Sequence, residues 1–72
     1  MYQNRSTAIE AEQSAMDSIA RLSEAIGILT RLCEAVRPFS RTATTALEQV
    51  LSILVRERDA AIERRVKAAK QI

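Results

Sequence analysis

The chain has 72 residues, 11 basic and 9 acidic, for a net charge of +2, with no histidine, one cysteine, one glycine, one proline and two aromatic residues. One domain at most fits this length, and a domain this small buries a modest share of its surface, leaving stability marginal without help from a disulfide, a metal or another chain. Cys33 is the only cysteine, so an intramolecular disulfide is excluded, as is a zinc site built from Cys and His within one chain.

The bias towards Ala, Leu, Glu and Arg predicts an all-α protein. The first residues, Met-Tyr-Gln-Asn-Arg-Ser, lack the apolar segment of a secretory signal and read as a short frayed lead. No apolar run approaches the roughly 20 residues that span a bilayer. A single free cysteine fits a reducing compartment, which points to the cytoplasm, although an intermolecular disulfide in a secreted dimer uses the same count.

Thr7 followed by Glu10 has the form of a capping box, so the first helix is expected over about residues 7–36. Ala8, Ala15, Ile19, Leu22, Ile26, Leu29, Cys33 and Val36 recur at steps of three and four, as in a coiled-coil seam, and only Glu12 interrupts them. Glu10, Asp17, Glu24 and Arg31 form a solvated ridge opposite. Gly27 sits mid-helix at a cost of about 1 kcal/mol relative to alanine. It either lets another helix approach or is simply tolerated.

Pro38 ends the first helix and places a turn at about 37–40. Ser40 is the expected cap of the second helix, with Phe39 packing down on the first core layer; Thr45 to Glu48 offers a later start. The second helix is expected over about 41–71. Matched lengths and a short link predict an antiparallel two-helix hairpin, against the rival of one continuous helix kinked at Pro38.

Folding about residues 38 and 39 brings Leu29 near Leu47 or Glu48, Ile26 near Leu51, Leu22 near Leu54 and Val55, and Ala15 near Ile62. The expected hairpin core is therefore Ile19, Leu22, Ile26, Leu29, Cys33, Leu47, Leu51, Leu54, Val55 and Ile62. The same register predicts an ion pair between Glu12 and Arg65 that fixes pairing more than it stabilises. Leu47 to Val55 is apolar around most of the helix, more than one neighbour can cover. Ile28, Leu32, Val50 and Ile53 are left over as an expected interface with another chain. A two-fold dimer forming a four-helix bundle or coiled-coil-like assembly is the favoured arrangement.

Residues 1–36 carry three basic and five acidic groups, a net of −2, whereas residues 37–72 carry eight and four, a net of +4. Arg64, Arg65, Lys67 and Lys70 are candidate phosphate contacts for a nucleic acid. Against that stand the interleaved Glu57, Asp59 and Glu63 and the lack of aromatic residues for base stacking; internal pairs such as Glu63 with Lys67 are the plainer reading. A membrane-surface role for the tail is weaker, because Ile62, Val66 and Ile72 include no aromatic anchor. No Gly-rich phosphate loop or histidine base is present, and Cys33 on the seam reads as a small buried hydrophobe. No cofactor is implied. The expected function is a non-enzymatic protein-protein interaction module, a small adaptor, inhibitor or regulator acting by helix packing; the alternative is a nucleic-acid-binding regulator using the basic half of helix 2.

Overall fold

The computed structural model describes the backbone of residues 2–71 and the side-chain surroundings of residues 7–71. Two helices account for nearly all of it: α1 (Tyr2–Val36) and α2 (Arg41–Gln71), packed against each other as an all-α hairpin. Thirty-five residues at 1.5 Å each give α1 a length of about 52 Å, which accounts for a rod measuring 57 × 14 × 13 Å.

Backbone bonds close the turn. The amides of Phe39 and Ser40 both donate to the Val36 carbonyl oxygen, at 2.9 and 3.0 Å, closing the end of α1 over Pro38. Ser40 then starts α2: its Oγ accepts the Ala43 amide at 3.1 Å, satisfying a donor that has no partner inside the helix. The later start at Thr45 is not used, and the Thr45 hydroxyl instead donates to the Arg41 carbonyl at 3.0 Å.

Two expectations about the ends are corrected. α1 does not begin at Thr7 but five residues earlier, and Tyr2 to Ser6 is helical, not a frayed lead. That segment contains no Gly or Pro to stop a helix. Phe39 does not pack down on the core. It is 88% exposed, because both amides folding back on Val36 turn the tip outward.

The Cys33 thiol, buried at 3% exposure, lies 3.8 Å from the Thr44 carbonyl oxygen and fixes the register. Counting outward from that contact in antiparallel steps sets Leu29 against Leu47, Ile26 against Leu51 and Leu22 against Leu54. Farther out it sets Ile19 against Arg58, Ala15 against Ala61, Glu12 against Arg65 and Ala8 against Ala68. The four alanines are at most 5% exposed, while every Leu and Ile of these layers is only half-buried. The most deeply buried part of the interface is thus made of small side chains, which let two helix backbones come close.

Candidate functional site: the uncovered helix faces

Each seam residue has a neighbour in sequence that lies beside the seam, and this decides which large side chains are left uncovered. In an antiparallel pair, residues just before one seam position of each helix share one side of the rod, and residues just after the other seam position share the opposite side. Ala25 and Leu32 precede Ile26 and Cys33; Ala43 and Val50 precede Thr44 and Leu51. They form one side near the turn, extended outward by Ile28 and Ile53. Leu32 is 45%, Val50 43%, Ile28 57% and Ile53 57% exposed. These are the four residues expected at an interface, and the hairpin leaves all four accessible on one face.

A second apolar patch was not foreseen. Ile9, Met16 and Ile62 follow Ala8, Ala15 and Ala61, placing them on the other side of the rod near its open end, where Val66 and Ala69 join them. Ile62 is 41% exposed and does not belong to the core as expected. The seven-residue spacing of Leu47 and Leu54 continues to Ala61 and Ala68, so Ile62 stands one residue, about 100°, off the seam. Val55, also expected in the core, follows Leu54 in the same way and is half-buried on this side.

The expected pairing of Glu12 with Arg65 is met only in position. Both line the shallow groove beside Ile62, Val66, Ala69 and Lys70, but no ion pair joins them among the described residues. Nor does one join Glu63 to Lys67. The four basic candidates are all exposed. Arg65 and Lys70 border the groove with Glu12, while Arg64, Lys67 and Lys70 follow one another three residues apart along the outer side of α2.

Arg58, unlike the exposed seam residue Arg65, is half-buried in its layer opposite Ile19, and its Nε is buried with no hydrogen-bond partner. Gly27 faces open space: a methyl group added there meets nothing within 4 Å, so no close helix contact within the chain requires a glycine. Among the described residues no cluster of three or more His, Cys, Asp or Glu is placed to hold a metal ion, and no helix is long and apolar enough to cross a membrane. Comparison with protein-family models, with curated proteins and with solved structures finds no match for this chain.

Proposed function

We propose that the chain is a non-enzymatic protein-protein interaction module, a small adaptor or regulator that acts by presenting helical faces to another chain. One observation carries this reading: the residues the hairpin buries are alanines, a cysteine and a threonine, the Leu and Ile side chains of its seam are only half-buried, and further large aliphatic groups stand on two outer patches. Covering an aliphatic side chain is worth roughly 1.5 to 3 kcal/mol. Four such groups on one face are therefore a larger reserve of binding energy than the alanine layers hold inside the rod. The alternative reading, a nucleic-acid regulator, is weakened by the acids Glu57, Asp59 and Glu63 interleaved among the basic residues of α2.

Affinity capture of interacting proteins at two salt concentrations tests the proposal. Retention by apolar helix packing persists from about 50 to 200 mM salt, whereas phosphate contacts lose affinity steeply over that range because counterions are released. Arg64→Glu with Arg65→Glu leaves binding intact on this reading, and Leu32→Asp removes it. The reverse pattern would transfer the function to the basic half of α2.

A further inference from the structure

We infer that the face carrying Ala25, Ile28, Leu32, Val50 and Ile53 is covered by a second copy of the chain, related by a two-fold axis that runs parallel to the hairpin, with both turns at the same end. This rests on the interaction-module reading and gives its first partner and geometry.

Three features of that face select the arrangement. The large apolar residues are confined to the half nearest the turn; the same positions towards the open end carry Ser14, Ser18, Arg21, Glu57, Arg64 and Lys67, with only the small Ala11 and Ala60 between them. Full-length overlap with the turns at opposite ends would therefore lay Ile28, Leu32, Val50 and Ile53 on charged and hydroxyl groups. With both turns together, the four meet their own counterparts.

The second feature is charge. A two-fold axis along the rod places α1 of one copy over α2 of the other, so the negative half of the sequence meets the positive half. At matching heights, Glu10 comes beside Lys67 of the second copy, Arg21 beside its Glu57, and Asp17 and Glu24 flank its Arg56. A transverse axis would set α1 on α1 and α2 on α2; at full overlap Asp17 then faces Glu24 of the second copy and Arg56 faces its own counterpart, like-charge contacts that raise the energy of that pairing. Within one hairpin, Glu24 and Arg56 lie on separate outer ridges, so their attraction is available only between copies.

The third feature is area. A rod face 57 Å long and 14 Å wide offers about 800 Å² per partner, the size of a standard specific interface. Both helices contribute to it, and an isologous contact uses the same residues on each side.

Sedimentation equilibrium of the full chain, combined with distances between spin labels at Phe39→Cys in a Cys33→Ala background, tests the inference. Phe39 is exposed at the tip, so its replacement does not disturb the fold. A dimer with label separations under about 25 Å is the expected result, given neighbouring helices about 8 to 10 Å apart. Separations near the 57 Å length of the rod would overturn it in favour of opposed turns and leave the interaction-module reading standing. A monomer that melts cooperatively would overturn both, and a monomer without a cooperative melt would overturn the pairing alone. Because Ile53→Asp can unfold the chain, charge reversal supplies a second test. Arg56→Glu is expected to weaken dimerisation about tenfold, through two symmetric contacts turned from attractive to repulsive, and adding Glu24→Arg is expected to restore it. Failure of that rescue would also overturn the pairing.

Discussion

The Cys33 thiol and the Thr44 carbonyl oxygen stand 3.8 Å apart across the hairpin, 11 residues apart in sequence, and both residues are buried. Thr44 also sends its hydroxyl to the Ser40 carbonyl at 2.7 Å, so the first inter-helix layer is tied to the cap of α2. Cys33 is therefore shielded: in the native protein its reaction with a thiol reagent should be slow and limited by opening of the hairpin. Rates measured against denaturant concentration should rise in step with unfolding. A fast, denaturant-independent reaction would show the layer to be open.

Loss of the α2 cap is the next expectation. Ser40→Ala leaves the Ala43 amide without its acceptor, and the cost is about 1 kcal/mol, within the range measured for such caps. Chemical denaturation should show a lower midpoint with an unchanged slope, and Ser40→Asp should recover most of the loss.

At the closely spaced end, Ala61 is fully buried opposite Ala15. Ala61→Leu has no space to enter and should destabilise the hairpin by about 1 to 3 kcal/mol, the usual result of overpacking. Ile62→Leu, one residue along and 41% exposed, should change thermal stability by less than about 0.5 kcal/mol.

Arg58 gives a prediction of the opposite sign. Its buried Nε lacks a partner, and an unsatisfied buried donor costs about 1 to 3 kcal/mol. Arg58→Met keeps a long flexible stem in the layer with Ile19 and removes that donor, so the melting temperature should rise. A fall would mean that the guanidinium finds a partner in solution, and a second copy of the chain would be the first place to look for it.

Gly27→Ala should also stabilise the protein, by about 1 kcal/mol of helix propensity, since the added methyl meets nothing. The position lies away from the face assigned to the second copy, so the association constant should stay unchanged in sedimentation while the melting temperature rises.

Much of this architecture is legible in the residues themselves. Pro38 and Ser40 mark the turn and the cap, and the steps from Ile19 through Cys33 mark the seam of α1, because a missing amide donor, a short hydroxyl and a three-four spacing are each local properties. The seam of α2 beyond Leu54 is not legible in the same way, because Ala61 and Ala68 carry it and alanine does not advertise burial, whereas the bulkier Ile62 beside them suggests a core position it does not hold. Thr44 was missed for a related reason: its hydroxyl suggests a surface, yet it is satisfied locally by Ser40 and so can be buried. Phe39 was misplaced because hydrophobicity alone favours burial, whereas the two amides folded onto Val36 decide where the tip points. The open-end patch of Ile9, Met16 and Val66 follows only once the seam is known.

The taper of the seam, from Leu and Ile layers near the turn to alanine layers at the open end, also sets an order of assembly. Joining the helices first at the turn closes the shortest possible loop, and each later layer adds contacts without closing a new one. The alanine layers form last and bury the least apolar area, so they separate first when the protein breathes. Ile9, Met16, Ile62 and Val66 flank those layers, so opening of this end changes the spacing of the patch they form.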